Sequence, residues 1–125
     1  MTKKLTEQDI ELLNEVQIAN VATVMPDGTP QVTPVWVDTD GEAVLFNTAR
    51  HRVKFRNLEQ NPRVAISVVD KADQYRTVVI RGTATFIEEG ADAHIDKLAK
   101  KYLGADSYPF RKASETRVIV RVVPE

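Results

Sequence analysis

The chain has 125 residues with 17 Lys and Arg against 18 Asp and Glu, and the formal net charge of -1 argues against broad binding of nucleic acid. It contains no cysteine, which excludes thiol nucleophiles, disulfides and cysteine zinc sites and is compatible with a reducing cytoplasm. The 2 histidines make neither a metal site nor a Ser/His/Asp triad, and the length predicts a single domain over residues 1–125.

The N-terminal segment predicts a helix. Thr6 followed by Asp9 forms a capping pattern, and Ile10, Leu13 and Val16 recur at helical spacing, so we expect a helix of about ten residues. Charges occur throughout this segment, and it lacks the continuous apolar run of a signal peptide or membrane span. We therefore expect a soluble, cytoplasmic protein without a membrane partner.

Three apolar segments in the first half have the composition of strands. The first, Ile18–Met25, precedes a turn signal at Pro26–Gly28, and the second, PQVTPVWVD, leads to another turn at Asp38–Gly41 before AVLFNT. Because both connections are short, we predict that the three strands form an antiparallel meander. Pro34 lacks a backbone donor, which favours either an edge strand or a place where a ligand replaces a neighbour.

Positive charge is concentrated in the segment LFNTARHRVKFRNLEQNP, residues 45–62, which we call the basic segment. Its one carboxylate, Glu59, stands among four cations, namely Arg50, Arg52, Lys54 and Arg56. We predict a helix here, and unpaired N–H groups at its start together with these cations favour a phosphate. If Arg50 precedes the first turn, Lys54 and Asn57 share its face. The alternative is a solvated helix whose charges only maintain solubility.

The second half continues with strands and one long helix. The helix of the basic segment should end near Asn61, because Pro62 disfavours helical geometry in the residue before it, and RVAISVVD then alternates as a strand. After a polar loop at Asp70–Gln74, YRTVVIRGTATFI has strand character, with Gly82 permitting a bulge or a close backbone approach. Apolar spacing predicts a helix over Ala91–Tyr102.

The chain closes with a sixth predicted strand, TRVIVRVV. Arg117, Ile119 and Arg121 share one face of it, and valines share the other. Strands that pair mainly through hairpins favour antiparallel order, so the pattern predicts an α+β protein with a closed or half-closed barrel.

These segments resemble the split β-barrel flavin and deazaflavin oxidoreductases, the superfamily that includes pyridoxamine 5′-phosphate oxidase. The resemblance covers Leu5 to Val123 and rests on ATVMPDGTPQVTPVWV, NTARHRVKFRNLEQNPRVAISV, VVIRGTAT, HIDKLAKKYLG and RVIVRV. The pattern R-x-K-x-x-N-L-x-x-N-P-R at Arg52–Arg63 is most similar to the small subgroup that uses coenzyme F420. The resemblance implies a six-stranded antiparallel split barrel of the FMN-binding type with peripheral helices.

The resemblance also implies a function and a partner. The expected activity is F420-dependent transfer of a hydride to an unsaturated small molecule, with no catalytic side chain because the cofactor carries the chemistry. Two alternatives stay open: an FMN oxidase or reductase of the pyridoxamine 5′-phosphate oxidase type, and a non-catalytic carrier of F420, flavin or tetrapyrrole. The implied assembly is a homodimer with cofactor sites at the interface, and its acceptor pocket would use the loops Asp70–Gln74 and Leu103–Lys112.

Matching the motif assigns the cofactor contacts by position. Lys54 and Arg52 would hold the phosphate, with Thr48 and Arg50 beside them, while Asn57 belongs to the pattern and ties the helix to its neighbour or faces the ligand. Arg117 would meet the cofactor tail or the other subunit. The ring would lie along one strand, whose backbone bonds to its polar edge: Gln31, Val32, Thr33, Pro34 and Val35. No metal ligand is implied, Trp36 is a secondary candidate for ring stacking, and His94 is expected to be packed or exposed.

Overall fold

Alternation of buried and exposed residues produces one antiparallel sheet in the computed structural model, which describes residues 4–125. Its seven strands are β1 (Ala19–Val24), β2 (Pro30–Val35), β3 (Asp38–Thr39), β4 (Val44–Ala49), β5 (Arg63–Asp70), β6 (Asp73–Ile87) and β7 (Arg117–Pro124). The helices are α1 (Glu7–Asn14), α2 (Val53–Gln60) and α3 (Ala91–Leu103). The predicted antiparallel α+β architecture is confirmed, with seven strands rather than six.

The order of the strands explains why the barrel is split. The sheet runs β2-β1-β5-β6-β7-β4-β3, so β2 and β3 stand at opposite ends of it. Only Trp36 and Val37 connect them, and such a short link spans roughly 10 Å. The sheet must therefore curl until its two ends lie side by side, without pairing to each other.

The predicted meander of the first three strands is wrong. β1 and β2 form the expected hairpin, but β4 pairs with β7 and with the two residues of β3. The segment PQVTPVWVD, which has the local character of one strand, divides at Trp36 because its last residues cross to the other end of the sheet. That division also accounts for the extra strand.

The core lies inside the curled sheet and is closed at one end by α1. Large side chains with almost no exposure come from the strands and from two helices, among them Phe46, Ile66, Ile80, Leu12, Leu13 and Leu58. Burial of this apolar surface is the main favourable contribution to folding. Among residues 4–125, no helix combines the length and the apolar character that crossing a bilayer requires.

The start of α1 is fixed by a reciprocal cap. Thr6 Oγ1 accepts from the Asp9 N–H at 3.1 Å, and Asp9 Oδ2 accepts from the Thr6 N–H at 2.9 Å, as the sequence predicts. We expect Thr6→Ala to lower the free energy of unfolding by about 1 kcal/mol, measured by urea denaturation. Thr6→Ser keeps the acceptor and should retain most of the stability. Equal losses in both variants would contradict this role of the cap.

Candidate functional site

A cavity of about 310 Å³ lies beside the link between β2 and β3. The pairing of β4 with β7 sets Ala49 opposite Arg117, so the end of one strand, the beginning of the other and the start of α2 converge there. Polar and basic side chains line one part of the wall: Asn47, Thr48, Arg52, Lys54 and Arg117. Apolar and aromatic side chains line the rest: Ile18, Pro34, Val35, Trp36, Ile95, Leu98, Tyr108 and Phe110.

Three cations converge at the basic part of the cavity. Arg52 is the residue before α2, and no side chain caps that helix or adds an acidic group to its first turn. Burial lowers the pKa of Lys54, and the positive charges of Arg52 and Arg117 lower it further. Arg117 is 8% exposed and lies 3.4 Å from its carboxylate neighbour Glu115. This arrangement favours an anion that would offset the mutual repulsion of the cations.

An unpartnered hydroxyl lies in the same wall. Thr48 is 2% exposed, and its Oγ1 has no hydrogen-bond partner among the described residues. A buried polar group left unpaired costs about 1–3 kcal/mol, so such atoms are uncommon unless a ligand or water bonds to them. A phosphate oxygen would accept from this hydroxyl, and the donors around it match a phosphate-bearing cofactor.

The aromatic part of the cavity is built by stacking. Trp36 lies parallel to Tyr102 at 5.3 Å between ring centroids, and it meets Tyr108 edge to face at 6.1 Å. Tyr108 in turn meets Phe110 at 5.6 Å. The hydroxyl of Tyr102 accepts from the backbone N–H of Val37 at 3.0 Å, which fixes the stack against the link between β2 and β3. The result is an apolar wall of mutually packed aromatic rings, against which a planar ring could pack.

The structure brings together part of the set predicted from the sequence. Six of those residues line the cavity, namely Pro34, Val35, Thr48, Arg52, Lys54 and Arg117. The other five do not line it, namely Gln31, Val32, Thr33, Arg50 and Asn57. On β2 the division follows position, since the end nearest Trp36 contacts the cavity and the rest continues along the sheet edge. Pro34 does lie on an edge strand.

The predicted common face of Arg50, Lys54 and Asn57 is wrong. Because α2 begins at Val53, Arg50 belongs to the preceding turn, where it pairs with Glu88 and lies over the Phe55 ring at 5.2 Å.

Asn57 faces the sheet instead of the cavity. It is 2% exposed and donates to Thr23 Oγ1 at 3.0 Å and Met25 Sδ at 3.2 Å. It therefore ties α2 to β1, which was one of the two roles open to it. Gln31 belongs to the same group, since its Oε1 accepts from Thr23 Oγ1 at 3.3 Å.

Several residues of the cavity were missed by the sequence reasoning. Tyr108 and Phe110 lie in the loop assigned to the acceptor side, but no pattern in that loop identifies them individually. Asn47 offers a signal, because it is the one amide in the apolar run AVLFNT. The other predicted acceptor loop, Asp70–Gln74, does not line the cavity; it is mostly a tight turn in which Asp70 accepts from Gln17 at 3.1 Å.

A split barrel whose cationic and aromatic cavity adjoins its open edge defines a class of cofactor-binding proteins. The family model described as pyridoxamine 5′-phosphate oxidase matches residues 5–125, and the chain belongs to that family. The fold and the match together assign it to the split-barrel oxidoreductases.

Solved structures extend the comparison. A structure described as an F420 reductase has 35% identity, covers 97% of this chain and 96% of its own, and has a TM-score of 0.83. A conserved hypothetical protein, Rv2991 from Mycobacterium tuberculosis, has 26% identity over 97% of this chain and 81% of its own, with a TM-score of 0.72. A structure described as a putative pyridoxamine 5′-phosphate oxidase from Lactobacillus delbrueckii shows the shared fold. It has 23% identity, covers 99% of this chain and 93% of its own, and has a TM-score of 0.68. Among curated proteins, none matches this chain significantly.

Proposed function

We propose that this protein is an F420-dependent reductase that transfers a hydride from the reduced deazaflavin to an unsaturated small molecule. The observation that carries the proposal is the convergence of three cations and an unpartnered buried hydroxyl in the wall of an aromatic-lined cavity. The choice of F420 is supported by 35% identity to a structure described as an F420 reductase, over 97% of this chain.

Each part of the cavity has a role in this proposal. Lys54, Arg52 and Thr48 would hold the phosphate through charge-assisted and hydroxyl hydrogen bonds. Trp36 and Pro34 would pack against the ring and exclude water there. The bound cofactor supplies the hydride, so the side chains need only orient the ring and the acceptor, and solvent can deliver the remaining proton.

We further propose that the protein acts as a homodimer whose second copy completes the cavity. The open side of the site adjoins the edge strand β2, and large apolar side chains near it are exposed, with Val32 at 62% and Phe110 at 63%. Exposed apolar groups of this size beside an unpaired sheet edge favour association. Analytical ultracentrifugation gives the oligomeric state, and a monomer that binds the cofactor at full affinity would contradict this part of the proposal.

FMN is the second candidate, because it also combines a phosphate with a planar three-ring system and the family takes its name from pyridoxamine 5′-phosphate oxidase. Fluorescence titration of the apoprotein with F420 and with FMN separates the two. We expect the tighter binding with F420. Tighter binding of FMN, or a yellow purified protein with a flavin spectrum, would assign the FMN alternative instead.

Turnover separates an enzyme from a carrier. With enones, quinones or tetrapyrroles as acceptors, reduced F420 should be oxidised faster in the presence of the protein than in its absence. Absorbance follows the oxidation. Binding of F420 with no oxidation by any of these acceptors would favour the non-catalytic carrier.

The affinity for cofactor should depend on pH through Lys54. Burial and the neighbouring cations lower the pKa of Lys54 in the free protein, whereas a bound phosphate favours the ammonium form. Affinity should therefore be full below that lowered pKa and should fall as the pH rises through it toward the ordinary value of about 10.4. Lys54→Arg keeps its charge over this range, so its affinity should stay flat. The same decline in both proteins would contradict the assignment.

A further inference from the structure

From the cavity wall, a chain of polar side chains leads from Arg117 and Asn47 into the interior. Arg117 Nη1 donates to Asn47 Oδ1 at 3.4 Å, and Asn47 Nδ2 contacts His94 Nδ1 at 3.1 Å. His94 Nε2 then lies 3.5 Å from Asp38 Oδ2, an electrostatic contact without the geometry of a hydrogen bond. Three of the four residues are nearly inaccessible, with Arg117 and His94 each 8% exposed and Asp38 5%.

The orientation of the Asn47 amide is fixed by partners that have only one possible role. The backbone carbonyl of Ala91 can only accept, and it lies 2.9 Å from Asn47 Nδ2. Arg117 can only donate, so it requires the amide oxygen. The second hydrogen of the amide nitrogen then points to His94 Nδ1, which must accept it. The proton of the His94 ring is thereby assigned to Nε2.

The other side of the ring leads to the same assignment. Burial raises the pKa of the Asp38 carboxyl, but the nearby His94 ring together with hydrogen bonds from the Thr39 N–H and Lys97 outweighs it and holds that pKa below its usual range. Lys97 Nζ lies 3.1 Å from Asp38 Oδ2. Asp38 is therefore a carboxylate, which would repel a ring lone pair at this distance, so the proton belongs on the nitrogen that faces it. Both neighbours of His94 select the Nε2–H tautomer.

We propose that His94 and Asn47 are positioning residues that hold the Arg117 guanidinium in place for the anionic group of the ligand. Without an acceptor at His94 Nδ1, the amide of Asn47 loses one of the three contacts that fix its rotation. Among the described residues, Arg117 would then keep Glu115 and the face of the Tyr108 ring, 4.8 Å away, as its fixed partners. The identity of the anion rests on the proposed function, whereas the positioning chain does not.

The chain can be tested without any ligand. The sequence has 2 histidines, so the variant His51→Gln leaves His94 as the one imidazole that nitrogen NMR detects. Above neutral pH, its spectrum should show a proton on Nε2 and none on Nδ1. NMR of the Arg117 guanidinium should show slow rotation that becomes fast in His94→Phe and is restored in His94→Gln, whose side-chain oxygen accepts. A His94 ring with its proton on Nδ1, or unchanged Arg117 rotation in His94→Phe, would overturn the proposal.

A double-mutant cycle with F420 as probe tests the consequence for binding. His94→Phe should weaken F420 binding about three- to tenfold in the parent protein and leave it unchanged in an Arg117→Met background. A merely structural loss would lower affinity equally in both backgrounds, which would overturn positioning through Arg117. If the parent protein does not bind F420, the proposed cofactor is wrong, and the ligand-free NMR results still decide whether the positioning chain exists.

Discussion

Replacing Lys54 with Ala is expected to weaken binding of F420 by at least about tenfold, because a hydrogen bond to a charged group contributes about 1.5–3 kcal/mol. Burial and the positive charges of Arg52 and Arg117 lower the pKa of Lys54, and among residues 4–125 no carboxylate forms a salt bridge with it. Adding Arg52→Ala should weaken binding further, by less than the product of the single effects, since both contact one phosphate. Fluorescence titration measures each variant.

Arg56 provides the matched control for these variants. It lies on the same helix as Lys54 and is exposed, but it does not line the cavity. Arg56→Ala removes the same charge from α2, so any general electrostatic attraction of the anion would fall equally in both variants. We expect Arg56→Ala to change the affinity less than about twofold at physiological ionic strength. Equal losses for Arg56 and Lys54 would contradict a specific phosphate contact.

The largest effect on stability is expected at Gly82. A Cβ at this position in β6 would lie 2.3 Å from the backbone oxygen of Val123 in β7. That oxygen belongs to the main chain, so it cannot move aside as the end of a flexible side chain could. Gly82→Ala must therefore push the two strands apart, and these strands pair from Gly82↔Pro124 to Ile87↔Ile119. We expect the free energy of unfolding to fall by about 3 kcal/mol, at the upper end of the range for overpacking. Urea denaturation measures it.

Two other substitutions separate this clash from weaker effects. Gly28→Ala makes the same change at a turn where an added Cβ meets nothing within 4 Å, so only the backbone strain of its φ of 90° remains, costing about 1 kcal/mol. Arg81→Ala, at the exposed residue beside Gly82, should change stability by less than about 0.5 kcal/mol. If Gly82→Ala were no more destabilising than Gly28→Ala, the close approach of β6 and β7 would be refuted.

Features that depend on neighbouring residues could be predicted from the sequence. The cap at Thr6 and Asp9 and the end of α2 before Pro62 are local, and each is confirmed. Of the two possibilities left open at Gly82, a bulge or a close backbone approach, the structure shows the close approach. The order of the strands is not local. Nothing between Pro30 and Asp38 indicates that the chain crosses from one end of the sheet to the other, because that crossing depends on β7 occupying the place beside β4.

The same distinction applies to the candidate site. Arg52 and Lys54 were identified because the cations and the helix start lie together in the sequence. The direction in which the Asn57 side chain faces could not be identified, since it depends on the residue at which α2 begins. Asn47 and His94 stand 47 positions apart, and only the packing of α3 against β4 brings them together. A histidine at the start of an apolar helix face gives no indication of such a partner.

The position of the cofactor phosphate is the measurement that tests this account most directly. A crystal structure of the protein with F420 should place the phosphate within hydrogen-bond distance of Lys54 Nζ and Thr48 Oγ1, with the ring against Trp36. A structure in which the phosphate lies away from the start of α2, or in which Lys54 extends into solvent while the ligand binds elsewhere, would contradict it.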